Sequence, residues 1–360
     1  MIITEKEHIK GVRKDFPTKT ILRTYKNGNH FTTILNDGTR IRETEDSDDS
    51  KLNYSFSENV DIKITNYCKM PRGCSNCEFC HENSSPLGKH ASLKSYMKLW
   101  DTWEPGTEIA IGGGNALAHP DIEWLLEYLS NRGVICNLTV NQHHLPQYQY
   151  DLVKWASKGW LHGLGISVVD PNNRKELDCV TNIKATFLTH QKSNNVVFHV
   201  IAGILNESFL KSLANEKVLI LGYKDNIGRG VTYKKSHKDV IDKNIEWLAN
   251  NLKSLSHLFA VMSFDNLSLA QLDARRTLGL SDAEWNLRFQ GKDYGDPNGE
   301  DAPSTFYFDA VEGEIGRSST QPKDQRIKYD FVNGMTFKEA FKASLSNYKI
   351  NEGEYGEIKE

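Results

Sequence analysis

Hydrophobic and polar positions divide the chain into two textures. Through the first 58 residues, apolar and β-branched runs in "TKTILRTYKNGNHFTTILNDGTRIRETEDSDDSK" are broken by Asn27-Gly28 and Asp37-Gly38. Both dipeptides tolerate the positive φ of a tight hairpin turn, so the stretch predicts a small antiparallel meander. It closes in the polar segment 43–51. From residue 60 onward, short apolar runs alternate with amphipathic stretches. The runs at 60–65, 108–113, 134–140, 163–169, 195–204, 217–223 and 258–264 predict strands. Between them, "HPDIEWLLEYLSNRG" carries an apolar stripe at 122, 125, 126 and 129, with Pro120 near its start and Gly133 as its stop. "KDVIDKNIEWLANNLKSL" predicts another helix. Repeated strand–helix units imply parallel strands with right-handed crossovers, in a barrel or an open doubly wound sheet.

The alternation stops after residue 270. A helix with a Ser281…Glu284 capping box, a strand pair near 305–318 and the helix "TFKEAFKASL" close the chain. The expected organisation is an N-terminal β element (1–58), a core (59–268) and a C-terminal α+β cap or extension (269–360).

Composition narrows the class. The 360 residues are 38% hydrophobic and 25% charged, with a formal net charge of −3. Such a chain buries a sizeable core. Without a block of like charge or a basic, aromatic-interleaved stripe, it does not suit a nucleic-acid or anionic-membrane surface. No apolar run approaches the roughly 20 residues needed to span a bilayer. The N-terminus "MIITEKEHIKGVRKDF" lacks the apolar core of a secretory signal. These features predict a cytoplasmic protein with reduced thiols.

Against that background "ITNYCKMPRGCSNCEFCHENS", residues 64–84, stands out. It holds Cys68, Cys74, Cys77 and Cys80, four of the six cysteines, followed at once by His81. In a reducing compartment, such density argues for metal rather than disulfide. Two metal chemistries fit. Four cysteines, or three with His81, at two-residue spacings can hold a structural zinc ion and stabilise a binding module. Thiolates can equally hold an iron–sulfur cluster. Cys68 follows the first core strand directly, and in α/β barrels that loop lies at the face where active sites are built. Cys136 and Cys179 stand apart and read as small buried hydrophobes.

"ITNYC" ending a strand, "CEFC" shortly after, and "GGGNALAHP" ending the next strand together resemble the radical S-adenosylmethionine (SAM) superfamily, in particular an uncharacterised phage and bacterial branch. The likeness covers residues 60–265. It implies a partial (β/α)6 barrel and a [4Fe-4S] cluster held by three cysteines. The open iron then chelates SAM, and one-electron reduction releases methionine and a 5′-deoxyadenosyl radical that abstracts a substrate hydrogen. A low-potential donor, a flavodoxin or ferredoxin, is implied as partner, while the substrate is left open.

The superfamily carries an aromatic residue just before its third cysteine. Phe79 in that role makes Cys68, Cys77 and Cys80 the ligands, with Cys74 as the alternative in an inserted segment. Gly113 and Gly114 are implied to let backbone approach SAM, so a side chain at Gly113 should obstruct the ligand and spare the cluster. Asn115 replaces the usual glutamate of this turn; it keeps a hydrogen-bond acceptor without the charge. Strand counting adds Asn141, Gln142, Ser167 and Asp170 as candidate SAM contacts. His143 and His144 read as loop-surface residues, and Lys224 and Arg229 as solvated loop charges within reach of a substrate anion.

Overall fold

In the computed structural model, the described residues are 2–36, 39–46, 52–72, 74, 77–170, 172–288 and 304–346. The meander is present: β1 (Ile21–Asn27), β2 (His30–Leu35) and β3 (Arg40–Thr44) form a three-stranded antiparallel sheet in that order. Gly28 turns between β1 and β2 at φ +62, and any Cβ there would lie 1.7 Å from the Asn53 carbonyl oxygen, so only glycine fits. The Asp37-Gly38 turn and the end of the polar segment lie outside the described residues.

A helix, Glu5–Asp15, precedes the meander and has no counterpart among the predicted elements. Its sequence is polar, with only His8 and Val12 buried, so no apolar stripe announces it. A Thr4–Glu7 capping box starts it: Thr4 N donates to Glu7 Oε2 at 2.8 Å, and Glu7 N to Thr4 Oγ1 at 3.4 Å. His8 then docks it on the meander, 2.7 Å from Glu43 and 2.9 Å from Thr33.

All seven predicted core strands form. They are β4 (Asn59–Thr65), β5 (Glu108–Gly113), β6 (Ile135–Asn141), β7 (Gly163–Val168), β8 (Val196–Ile201), β9 (Lys217–Leu221) and β10 (Val261–Phe264). Each pairs in parallel with its chain neighbour. The C-terminal strands β11 (Thr305–Asp309), β12 (Glu314–Gly316) and β13 (Ile327–Lys328) join the same sheet, giving ten strands in the order β10-β9-β8-β7-β6-β5-β4-β11-β12-β13. The fold is thus mixed α/β around a long parallel sheet. It differs from a six-stranded partial barrel: there is a seventh strand, β11 adds in parallel beside β4, and no pairing closes the two ends among the described residues. The physical reason lies at β4, whose free edge would expose an unpaired row of backbone groups. The predicted C-terminal strand pair covers it, burying Phe306, Tyr307 and Phe308.

Parallel sheets are usually apolar on both faces. Here the faces differ. One buries Val60, Ile62 and Ile64 of β4, Ile109 and Ile111 of β5, and Leu138 of β6 against helices, each at 2% exposure or less. Each such side chain contributes about 1.5–3 kcal/mol. The helix Ile122–Ser130 covers part of this face with Ile122, Leu125, Leu126 and Leu129, the stripe read from the sequence. The second predicted helix is longer than expected, Gly230–Leu258, and kinks at His237. The opposite face carries Lys63, Gly112, Asn137, Thr139, Gly165 and His199 and lines a cavity of 1210 Å³.

The meander closes one end of this cavity with Leu22, Ile34 and Leu35. It is pinned to the N-terminal edge of the sheet by Glu58, which is fully buried just before β4. Glu58 accepts from Arg42 Nε at 2.8 Å, Thr32 Oγ1 at 2.7 Å and Arg40 Nη1 at 3.3 Å. Arg40 Nη2 reaches on to Glu108 at 2.9 Å. Burial alone would push the Glu58 carboxyl up, but His30 and the two arginines hold it far below the usual carboxylate range. No helix among the described residues is long and apolar enough to cross a membrane.

Candidate active site

At the C-terminal ends of the strands the chain leaves β4 for the cysteine loop. Thr65 Oγ1 accepts from Tyr67 N at 2.9 Å and fixes the strand exit, and Cys68 N donates to Ser85 O at 2.9 Å. The glycine turn after β5 packs directly on this exit. Gly114 N donates to Thr65 O and Asn115 N to Tyr67 O, both at 2.7 Å. A Cβ on Gly113, which sits at φ +114, would lie 2.3 Å from Thr65 O; one on Gly114 would lie 2.3 Å from Tyr67 O. These two glycines therefore let the turn meet the backbone that leads into Cys68. Asn115 is buried, and its side chain hydrogen-bonds the Tyr148 hydroxyl.

The four clustered thiols fall into two groups. Cys68, Cys77 and Cys80 feel one another's charge. Burial first, then the Cys80 thiol, pushes Cys68 up to about 11, and burial with Cys80 and Cys68 pushes Cys77 up to about 12. Arg229 opposes both shifts, and Asn141 opposes the second by donating Nδ2 to Cys77 Sγ at 3.3 Å. His144 Nε2 stands 3.8 Å from Cys68 Sγ; burial lowers this histidine to about 4, so it is neutral at neutral pH. Cys74 faces elsewhere. Its neighbours are Glu176, 3.9 Å away, and Asp170, which together with burial push its thiol up. All six cysteines are free thiols.

Arg229 holds the cysteine loop in place. Its backbone N donates to Cys80 O at 3.0 Å, its Nε to Cys77 O at 3.0 Å, and both terminal nitrogens to Ser84 O at 3.1 Å. The preceding Gly228 (φ +62) permits this approach, since a Cβ there would meet His81 O at 2.4 Å. Arg229 is thus committed to the loop rather than presented to a substrate. Lys224 is on the cavity wall, donating to Ser319 Oγ at 3.1 Å. Phe79 packs edge-on against Tyr233, with ring centroids 5.6 Å apart. His81 lines the cavity and points Nε2 at Glu82, 3.4 Å away.

The strand-end polar residues separate by role. Asn141 is paired in register with Ser167, and Ser167 with His199, so all three share the cavity face. Gln142 is fully buried and braces the loop after β7: its Oε1 accepts from Val169 N and Asp170 N, and its Nε2 donates to Asp170 O at 2.9 Å and Glu176 Oε2 at 3.2 Å. His143 and His144 are buried, not on a loop surface, because the short helix Gln142–His144 turns back under the cysteine loop. Cys136 is fully buried on the helix-packed face, and Cys179 donates to Glu176 O at 3.4 Å.

A charged cluster escaped the sequence reasoning. Lys63 Nζ lies 2.7 Å from Glu82 and 3.0 Å from Asp309, deep in the cavity wall. Burial would raise the Glu82 carboxyl, but His81 and Lys63 hold it far below its ordinary range. The signal was a lysine inside "VDIKIT", a strand otherwise apolar at every second position. Among the described residues, one set of ligand atoms lies within 4.8 Å of one another, from Cys74, His143 and Glu176; Cys68, Cys77 and Cys80 do not form such a set.

No protein-family model matches the chain, and no curated protein sequence matches it. Similarity appears among solved structures. Streptococcus suis SuiB bound to S-adenosylmethionine superposes with a TM-score of 0.51 at 11% identity, covering 76% of this chain and 64% of that one, so part of SuiB has no counterpart here. SuiB bound to precursor peptide SuiA gives a TM-score of 0.47 at 13% identity, covering 89% of this chain and 73% of that one. Native anSMEcpe with bound AdoMet and Cp18Cys peptide gives 0.47 at 12%, covering 82% and 84%. The first match establishes a shared fold with a protein whose structure holds S-adenosylmethionine.

Proposed function

We propose that this chain is a radical SAM enzyme whose cluster is held by Cys68, Cys77 and Cys80. The observation that carries the proposal is the division of the four thiols: Cys68, Cys77 and Cys80 cluster in the loop after β4 beside Arg229 and Asn141, while Cys74 turns to Glu176. The donor set suits the group. Thiolates on a single zinc ion stand only about 3.8 Å apart, given its 2.3 Å bonds. The trio is more widely spread than one ion requires, as thiolates that serve separate irons are. His81, the candidate fourth ligand of a structural zinc site, is directed at Glu82.

When bound, the cluster supplies the electron and the open coordination position for reductive cleavage of SAM and hydrogen abstraction by the resulting 5′-deoxyadenosyl radical. The chain's own residues prepare the place. Arg229 ties down the loop between Cys77 and Ser84 and adds positive charge beside the thiolates. Asn141 orients Cys77, and neutral His144 lies against Cys68. The sheet face that lines the cavity, with the meander at one end, would receive the substrate, with Lys63, Glu82 and Lys224 on the wall. SAM is placed across the strand ends near Gly113, Gly114, Asn115, Phe79, Asn141 and Ser167. A flavodoxin- or ferredoxin-type donor in the cytoplasm supplies the electron, and the acidic net charge disfavours a large nucleic-acid substrate.

Metal analysis after anaerobic purification and reconstitution tests this reading against a zinc-stabilised binding module. Iron and acid-labile sulfide with broad visible absorbance are expected, at roughly four of each per chain. A colourless protein that carries only zinc would contradict it.

A further inference from the structure

We infer that Cys74, His143 and Glu176 form a second metal site, separate from the Cys68–Cys77–Cys80 trio, which takes a zinc-class divalent cation. A thiol sulfur, a ring nitrogen and a carboxylate oxygen from these residues lie within 4.8 Å of one another. Around a tetrahedral zinc ion, with bonds of about 2.0–2.3 Å, ligand atoms stand about 3.3–3.8 Å apart, so a small contraction completes the shell. Three segments supply the ligands: the cysteine loop, the short helix Gln142–His144 at the end of β6, and the loop after β7. The site is braced before any ion arrives. His143 Nδ1 lies 2.8 Å from Glu176 Oε2, and Gln142 Nε2 donates to the same oxygen at 3.2 Å. The Gln142 bond is an outer contact that aims the carboxylate, while the His143–Glu176 bond joins two ligands and gives way to the ion when it binds.

The chemistry selects the ion. A soft sulfur with an imidazole and one carboxylate favours zinc over magnesium or calcium. Cys74 Sγ lies 3.9 Å from Glu176 Oε1, so sulfur and carboxylate already converge on one point. Three protein ligands leave a fourth position for water. The site also gives the fourth clustered cysteine a role that the cluster does not. A bound ion would clamp the inserted segment to the ends of β6 and β7, beside Asn141 and Cys77.

The test is made on the full chain, with zinc and cobalt as probes. Reconstituted wild type is expected to hold one zinc in addition to cluster iron. Cys74→Ala, His143→Ala and Glu176→Gln should each weaken zinc binding by more than about tenfold and leave the iron-to-sulfide ratio unchanged. In the Cys68→Ala/Cys77→Ala/Cys80→Ala chain, cobalt should give a thiolate-to-metal charge-transfer band that disappears when Cys74→Ala is added. Absence of that band, or zinc retained by Cys74→Ala, overturns the inference. So does loss of iron from Cys74→Ala, which would make Cys74 a cluster ligand. Zinc bound through these three residues in a chain that takes no iron would uphold this site and overturn the radical SAM reading instead.

Discussion

Arg229 illustrates what decides a residue's role here. Its guanidinium bonds backbone carbonyls of Cys77 and Ser84, about 150 positions earlier in the chain, and its charge faces Cys68 and Cys77. Arg229→Ala should lower iron per reconstituted chain several-fold, because the loop loses its tether and the thiolates their cation. Arg229→Lys should recover only part of that loss, since a lysine keeps the charge without the planar fork. Full recovery by lysine would mean that charge alone matters. Local spacing in "GYKDNIGRG" shows a turn but not its distant partners, which is why the sequence left Arg229 as a loop charge. The same limit applies to His143 and His144, whose burial depends on the loops above them. By contrast, Phe79 beside Cys80 could be read locally, and Phe79 packs edge-on against Tyr233.

The strands were legible because their alternation is strict: Val60, Ile62 and Ile64 point to the helices, and Asp61 and Lys63 to the cavity. The helix Ile122–Ser130 was legible for the same reason, at its own period. Glu5–Asp15 was not, because capping and one buried histidine replace an apolar stripe. The place of β11 was not legible either, since pairing with β4 is set by an open edge some 240 residues back. The glycine turn after β5 gives a sharp test at this scale. Gly113 and Gly114 also meet the strand exit, because their Cβ positions collide with Thr65 O and Tyr67 O. Gly113→Val should therefore disturb the strand exit and lose iron and SAM binding together. A side chain at Gly112 meets only Thr139, at 3.9 Å. Gly112→Val should leave iron content and melting temperature near wild type and weaken SAM or substrate binding by narrowing the cavity. Equal iron loss from both variants, read by iron assay and isothermal titration, would remove this distinction.

At the scale of the molecule, the meander and the sheet behave as one body joined through Glu58. Its folded-state pKa is depressed, so the stability it adds is present above the unfolded carboxyl value of about 4.3 and disappears as pH falls through and below that value. Glu58→Gln should cost about 3–5 kcal/mol at neutral pH, as expected when one partner of a buried ion pair is removed. The variant should also lose less further stability between pH 5 and pH 3 than wild type does. Urea unfolding across that range checks both; an unchanged acid slope would mean that other carboxylates control acid unfolding. The meander lines one end of the cavity in this way, and the proposed chemistry is placed at the cysteine loop after β4. The most direct measurement is product analysis of the anaerobically reconstituted, reduced chain incubated with SAM. Formation of 5′-deoxyadenosine and methionine is predicted, abolished together with iron binding by Cys68→Ala, Cys77→Ala or Cys80→Ala. A chain that binds SAM but yields only S-adenosylhomocysteine, or that keeps its iron and activity without those three thiols, would contradict it.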